Sequence, residues 1–500
     1  MSTKPAQYII GVDIGTTNTK AIAFTVEGNV IAQANETYTP LEATIAEQHE
    51  LDPETLFRAV LRTVGQVSAQ MSTATLLGVA CSSAMHSLIA VDNNGKPLTN
   101  VITWADLRSS AQADELKHSE AGKRIYQRTG TPIHPMSPLC KLLWIKEERQ
   151  DIYATAHKFI GIKEWVLYRF FGQYLIDYSI ASATGLFDIY NFNWNAEALK
   201  LTGLTPDRLS TPVRTTHMVK GLAKEYADLL NIDQTTPFII GASDGCLANV
   251  GSGALQPGDV SLTIGTSGAV RMMAARPQHD VKERIFNYIL TEQWYVSGGP
   301  INNGGTLLRW YAEHFLGRSF EKTADFDWFI QQAAQVPAGA DGLIFLPYVQ
   351  GERAPVWDAN AKGVYFGIHA KHTQAHFMRA IIEGINNALY QVTQSIEETI
   401  GPVKNIYASG GFTQSPLWLQ WMADLFGKNI TISSTADASA VGAAILGLQA
   451  LEVRDTLTHP GKAAQPEVQF TPDEQQHKAY LRNFSVYSTL YDRLKDIFQL

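Results

Sequence analysis

Apolar residues follow two rhythms along this chain, and the switches between them mark out its elements. Residues 8–14, 19–26 and 29–37 run apolar or alternate with polar ones, broken only by Gly15-Thr-Thr and Glu27-Gly-Asn. That spacing predicts a three-stranded antiparallel meander. Asp52-Pro53 then reads as the cap and first turn of a helix, because Asp accepts from free backbone N–H groups and the fixed φ of Pro suits a first turn. Phe57, Val60, Leu61, Val64 and Val67 follow at helical spacing. Leu76-Leu-Gly-Val-Ala-Cys-Ser82 is a short apolar strand that runs into the polar cluster Ser82-Ser-Ala-Met-His-Ser87. Aromatic-rich helices are expected around residues 141–146 and 165–171. The second half repeats the plan, with a hairpin at 259–273 and a helix near 376–398. On that helix Phe377, Ile381, Ile385, Leu389, Val392 and Ile396 form one stripe. A strand at 405–409 ends in Gly410-Gly411, and Ser415 caps a helix with Pro416 in its first position. Ala438–Leu451, rich in Ala and Gly, is expected to pack closely against its own sheet.

Five hundred residues exceed what one hydrophobic core supports, so two domains are expected, 1–245 and 246–500, with no low-complexity linker between them. A formal charge of −8 argues against nucleic acid or an anionic membrane as the main partner. No apolar run reaches the ~20 residues of a membrane helix, and Met1-Ser-Thr-Lys-Pro-Ala-Gln7 lacks the apolar core of a leader. Cys81, Cys140 and Cys246 are few, lack metal-ligand spacing and sit among apolar neighbours, which predicts buried free thiols. A cytoplasmic protein is the expectation, and whether it forms a homodimer is left open.

The candidate chemistry begins with two short loops half a chain apart. Ile14-Gly-Thr-Thr17 and Ile264-Gly-Thr-Ser267 each close an apolar strand and lead into a return strand. Glycine permits the tight turn, and the adjacent hydroxyls and N–H groups form a concave row of donors that suits phosphate. One such loop is a common hairpin tip. Two, one near the start of each half, point to a duplicated clamp on a single polyphosphate. Thr16, Thr17, Gly265 and Thr266 are the phosphate-binding candidates. Lys20 lies on the return strand and reads as a solvated strand residue. No Gly-x-x-x-x-Gly-Lys occurs, which excludes the other major phosphate-loop design.

The order strand, Asp, Gly-Thr loop, strand is that of the actin-like, ribonuclease-H-like ATPase fold. Within it, Lys141-Leu-Leu-Trp144, Gly363-Val-Tyr-Phe-Gly-Ile368 with His376-Phe-Met-Arg-Ala-Ile-Ile-Glu383, and Tyr348-Val-Gln-Gly-Glu-Arg-Ala-Pro355 resemble segments of the FGGY family of carbohydrate kinases. The resemblance spans essentially the whole chain. It implies an α/β protein of two actin-like domains around a cleft, using ATP and Mg2+ on a sugar or sugar acid. It makes Asp244, in Gly241-Ala-Ser-Asp-Gly245, the catalytic base. Phosphoryl transfer has a loose transition state, so a carboxylate need only align the attacking hydroxyl and take its proton late. Asp13 would help hold the metal, with Asp244 beside it. Gly410-Gly411 and Gly304 would face ATP, and Met85, His86, Trp104 and Asp106 the acceptor. Glu352-Arg353 is expected near the cleft, either binding substrate or joining domains.

Ser83-Ala-Met-His-Ser-Leu88, Ile102-Thr-Trp-Ala-Asp106, His134-Pro-Met-Ser-Pro138 and Gly161-Ile-Lys-Glu-Trp165 look more like the gluconate branch of that family. D-Gluconate phosphorylated at its terminal hydroxyl is therefore the expected acceptor reaction, with D-xylulose the alternative. Ser87 stands where the xylulose branch commonly has Gly, adding a hydroxyl and taking space beside the substrate. A carboxylate needs a cation, and Lys163, Arg108 and His86 are the candidates. Two rivals come from other classes. Gly241-Ala-Ser-Asp-Gly245 also fits the Gly-x-Ser-x-Gly elbow of an α/β-hydrolase with Ser243 as nucleophile, which leaves both Gly-Thr loops unexplained. An actin-like scaffold or nucleotide sensor would keep the loops but not need Asp244.

Overall fold

The computed structural model describes residues 7–71, 73–432, 437–454 and 468–498. Residues 1–6, where the sequence predicts no leader, lie outside the described residues. Strands β1 (Gln7–Ile14), β2 (Asn18–Thr25) and β3 (Val30–Thr37) form the predicted meander. Helix α1 (Pro53–Gln70) follows, its first turn capped by Asp52, whose carboxylate accepts from the Thr55 N–H at 2.9 Å. It covers β2 and β3 and returns the chain to β4 (Thr75–Ser83), parallel to β1. After helices α2 (Pro138–Glu148) and α3 (Ile162–Phe171), the edge strand β5 (Met218–Val219) and β6 (Phe238–Ser243) complete a six-stranded sheet in the order β5-β6-β4-β1-β2-β3. Helix α4 (Asp244–Gly251) leaves the end of β6.

The second sheet uses the same design. Strands β7 (Asp259–Ile264) and β8 (Gly268–Ala274) make the second Gly-Thr hairpin, extended by β9 (Phe286–Ile289) and β10 (Tyr295–Ile301). Helix α5 (Gln374–Thr399) crosses back to β11 (Asn405–Ser409), parallel to β7. Helix α6 (Pro416–Phe426), strand β12 (Ile430–Ile432), helix α7 (Ala438–Ala450) and strand β13 (Gln469–Phe470) finish the order β9-β10-β8-β7-β11-β12-β13. The duplication reaches individual residues. Asp13 pairs with Ser82 across β1 and β4, and Thr263 pairs with Ser409 at the equivalent register of β7 and β11. In each pair the side chains hydrogen-bond, at 2.6 and 2.9 Å. One half thus carries a carboxylate where the other carries a hydroxyl.

One helix departs from expectation. α7 packs on β1, β4 and α4, the elements of the first half, and not on the sheet that precedes it in the chain. Its small residues allow contacts that no side chain would permit. A Cβ on Gly442 would lie 2.0 Å from the Leu247 carbonyl oxygen, one on Gly251 1.9 Å from that of Ala438, and one on Gly11 2.3 Å from that of Ala440. The halves are therefore joined backbone to backbone, and glycine is the residue that permits such an approach. Gly442→Val is expected to lower stability by at least ~1–3 kcal/mol, the usual cost of overpacking a closed interface. Denaturant unfolding checks this, and an unshifted midpoint would show that the interface yields.

Candidate active site

The site forms where β1, β4 and β6 end and α4 and α7 begin. Asp13 is the penultimate residue of β1, and its Oδ1 accepts from the Ser82 hydroxyl. Asp244 opens α4 with one carboxylate oxygen taking its neighbour's Gly245 N–H at 2.6 Å. Asp13 feels the charge of Asp244. Burial first, then the Asp244 charge and Asp437, push the Asp13 carboxyl up to about 7, against the opposing effects of Ser82 and Lys20. Burial also raises Asp244, opposed chiefly by Arg271 and then by the Gly245 N–H, Lys163 and Arg353. Lys20 is not the solvated strand residue expected: its ammonium pairs with Asp437 at the start of α7. Ser439 adds a hydroxyl bond to the Asp244 carbonyl at 3.3 Å.

A chain of contacts connects the two Gly-Thr loops. The Trp104 indole N–H reaches the Thr16 hydroxyl at 3.4 Å. The Arg353 guanidinium lies over the Trp104 ring, 4.6 Å from its centre, and donates to Asn302 at 2.6 Å and to the Ile301 carbonyl at 3.1 Å. Gly304, two residues on, donates its N–H to Thr266 at 3.0 Å. Arg353 therefore joins the halves, while Glu352 is fully buried and bound to the Asn302 and Asn303 region. Thr17, Gly265 and Thr266 are exposed at the hairpin tips.

The predicted glycines divide. A Cβ at Gly410 would meet the Ile264 carbonyl at 2.3 Å, and one at Gly304 the Ser267 carbonyl at 2.6 Å, so the fold alone demands both. Gly265 and Gly411 face open space. They line a cavity of about 250 Å³ with Gly305, Arg309, Phe320, Lys322, Phe326, Gln414 and Trp418. The residues between 305 and 326 carry no short motif, and only the fold brings them to the glycines.

Of the residues expected to face the acceptor, Met85 extends its terminal methyl over Gly245, where a Cβ would lie 3.0 Å from it. His86 adopts a left-handed backbone conformation (φ 66°), sparsely populated for non-glycine residues. Its ring is buried, with Nδ1 2.8 Å from the Ala183 carbonyl and Nε2 3.4 Å from the Tyr288 hydroxyl. A proton on Nδ1 satisfies the first contact. Burial, reinforced by the Lys141 charge, holds the imidazole down at about 3, so His86 is neutral. The buried Lys141 donates to the His86 and Met136 carbonyls, fastening this strained loop to α2. That gives the Lys-x-x-Trp segment a positioning role the sequence did not reveal. His134 is also buried, and its Nε2 has no partner.

Several expectations need correcting. Asp106 is 1% exposed, and its oxygens take the Arg108 guanidinium at 2.7 Å and the His49 N–H at 3.0 Å, so it braces the Trp104 loop instead of facing the acceptor. Ser87 turns away from the cleft, and its hydroxyl accepts the Ile162 N–H at 3.0 Å at the start of α3. Lys163 is buried against Asp177 at 2.7 Å and the Ala242 carbonyl at 2.9 Å, and Arg108 is held by Asp106 and Glu50. With His86 neutral, none of the three proposed carboxylate partners is free. Arg271 escaped notice in the sequence, although a lone Arg inside the apolar strand Gly268-Ala-Val-Arg-Met-Met-Ala274 was the available signal. Ser243 is fully buried, bonded to the Ser179 hydroxyl at 2.9 Å and capping α4. A nucleophile elbow must expose its hydroxyl, so the hydrolase reading fails. Cys81, Cys140 and Cys246 are buried free thiols.

Comparison with known proteins agrees across the chain. Residues 8–251 match the N-terminal domain, and residues 260–451 the C-terminal domain, of the FGGY family of carbohydrate kinases. A Bacillus subtilis protein named gluconokinase is 42% identical over 95% of this chain and 93% of its own. A gluconate kinase structure from Lactobacillus acidophilus superimposes with a TM-score of 0.92 at 34% identity, covering 98% of both chains. A ligand-bound xylulose kinase structure from the same organism gives 0.92 at 33%, again over 98% of both. No helix among the described residues is long and apolar enough to cross a membrane.

The acid cluster makes a testable demand on stability. In the unfolded chain Asp13 ionises in the ordinary carboxylate range, but in the fold it does so only near 7. Its folded pKa is raised, so the stability it contributes is present below the unfolded pKa and lost as pH climbs through 7. Asp13→Asn keeps an acceptor for Ser82 and removes the charge. The ligand-free variant is expected to melt roughly 1–4 °C above the parent at pH 8, with the difference closing toward pH 4. Melting curves across that range check it, and a pH-independent difference would contradict the electrostatic account.

Proposed function

The chain belongs to the FGGY family of carbohydrate kinases, and we propose that it transfers the γ-phosphoryl group of ATP to the terminal hydroxyl of D-gluconate, giving 6-phosphogluconate and ADP. The observation that carries the chemistry is Asp244, a carboxylate at the junction of the halves, within electrostatic reach of Asp13 and beside the Met85-His86 loop. The choice of gluconate rests on the near full-length 42% identity to a protein of that name. The L. acidophilus xylulose kinase fits the fold equally well, which keeps D-xylulose as the second reading.

In this reading the acceptor lies mainly in the half before Gly245, against Met85, His86 and Trp104, and the nucleotide mainly in the half after it. Thr16, Thr17, Gly265 and Thr266 offer N–H and hydroxyl donors to the phosphates, and Gly411 lines the adenosine-side cavity. Gly304 and Gly410 support that surface by permitting close backbone packing. Asp244 aligns the acceptor hydroxyl and accepts its proton as the bond to phosphorus forms. A pair of buried acids with raised pKa values also suits a divalent cation, since a nearby positive charge would relieve the repulsion. Asp13 and Asp244 would hold magnesium, which neutralises phosphate charge when bound. Magnesium commonly leans on one or two carboxylates and keeps several waters. The buried free thiols suit a reducing, cytosolic setting.

Asp244→Asn should remain folded and bind nucleotide but lose roughly 10²–10⁴-fold in turnover, the usual worth of a general base. Near-normal turnover in the folded variant would remove Asp244 from that role. For the acceptor, kcat/KM is to be compared for D-gluconate, D-xylulose, D-ribulose and glycerol, because specificity is that ratio. D-Gluconate is expected to lead, and a tenfold advantage for D-xylulose would replace the gluconate reading while leaving the kinase assignment in place.

A further inference from the structure

The cations around the acceptor space are nearly all committed. Lys163 pairs with Asp177, Lys141 serves two backbone carbonyls, and Arg108 is held by two carboxylates. Arg353 is fixed to Asn302 and Ile301 and stacked on Trp104. Arg271 differs. Among the described residues its guanidinium makes no hydrogen bond and no ion pair, and its Nε is buried without a partner. A guanidinium whose Nε is buried without a partner is costly, and a ligand that takes that donor removes the cost while the remaining N–H groups are open to it.

The location of Arg271 says which ligand. It lies on β8, where alternation puts it on the face of Met273, which packs with Cys246 and Leu247 of α4, while Val270 and Met272 face the second core. The second sheet thus delivers a charge into the first half's acceptor pocket. There the guanidinium covers Gly245: a Cβ on that residue would lie 3.0 Å from the Arg271 Nε and 3.0 Å from the Met85 methyl. The strongest charge acting on Asp244 is Arg271, whereas Asp13, on the phosphate side, responds to Asp244, Asp437 and Lys20. Sharing the space over Gly245 with Met85, Arg271 sits on the side of Asp244 that the proposed function gives to the acceptor.

We infer that Arg271 is the residue that binds the acceptor's carboxylate and sets a preference for sugar acids over neutral polyols, an inference that rests on the gluconate reading above. An Arg fork matches a carboxylate with two parallel bonds, which adds orientation to attraction. A neutral acceptor offers hydroxyls only and leaves most of the charge unanswered. Such asymmetry discriminates, because the wrong substrate leaves the buried Nε donor unpaired. Gly245 belongs to the same device, since any side chain there would displace the guanidinium.

Steady-state kinetics of the parent, Arg271→Gln and Arg271→Lys on D-gluconate and D-xylulose test this. Arg271→Gln is expected to raise the D-gluconate KM roughly 10²-fold with a much smaller change in kcat, and to collapse the gluconate-to-xylulose ratio of kcat/KM by a similar factor. Arg271→Lys, which keeps the charge but loses the fork, should fall between the two, and it carries the test if the Gln variant fails to fold. An unchanged ratio in the variants would overturn the assignment and leave the gluconate reading standing. So would an equal fall of kcat on both acceptors, which would place Arg271 at the transferring phosphoryl group. A parent enzyme that does not prefer D-gluconate would overturn the substrate reading itself, and this inference with it.

Discussion

Everything at the candidate site depends on a close contact between helices that contain almost no side chain. α7 lies on the first sheet and against α4 at Gly11, Gly251 and Gly442, near enough that a single added methyl would strike a carbonyl. Because backbone meets backbone, the start of α7 is placed with little freedom beside the start of α4. Asp437 reaches Lys20 and Ser439 reaches Asp244 as a direct result. A looser interface would need larger side chains, and Asp13 and Asp244 would no longer share one electrostatic environment.

That shared environment is unfavourable in the ligand-free protein. Two carboxylates at the junction, with a third at Asp437, are opposed by Lys20 on one side and Arg271 on the other. Beside Met85 the unfavourable group is Arg271, whose Nε is buried without a partner. Opposite charges are left unsatisfied on the two sides of Asp244. In the proposed reaction each is answered by a different ligand, a magnesium nucleotide on one side and an anionic acceptor on the other. Strain of this kind persists only when the surrounding fold over-determines it, and the Lys141 clamp on the left-handed His86 shows the same logic in backbone form.

The comparison of the two halves shows how a duplicated frame becomes an asymmetric enzyme. The strand-end pairs Asp13 with Ser82 and Thr263 with Ser409 occupy equivalent registers. Only the first carries a carboxylate, which in the proposed reaction would hold a metal, and the second is a pair of neutral hydroxyls.

Much of this was written in local sequence. The meander, the capped helices at Asp52 and Ser415, both Gly-Thr hairpins and Asp244 after its strand follow from short-range periodicity, turn chemistry and family resemblance, because each is decided within a few residues. What the sequence could not decide was which way polar side chains face and which sheet a helix meets. Asp106 and Ser87 sit in acceptor-like segments yet turn to Arg108 and Ile162, since buried polar atoms are satisfied by whatever the fold brings near. Lys163 was a plausible carboxylate partner until Asp177 claimed it, fourteen positions away in the chain but 2.7 Å away in space. α7 looked like a helix for its own sheet, because Ala and Gly report only that packing is close and not against what. Arg271 became visible as an uncommitted cation beside Met85 only after Lys163, Lys141, Arg108 and Arg353 had found their partners, and that accounting exists only in three dimensions.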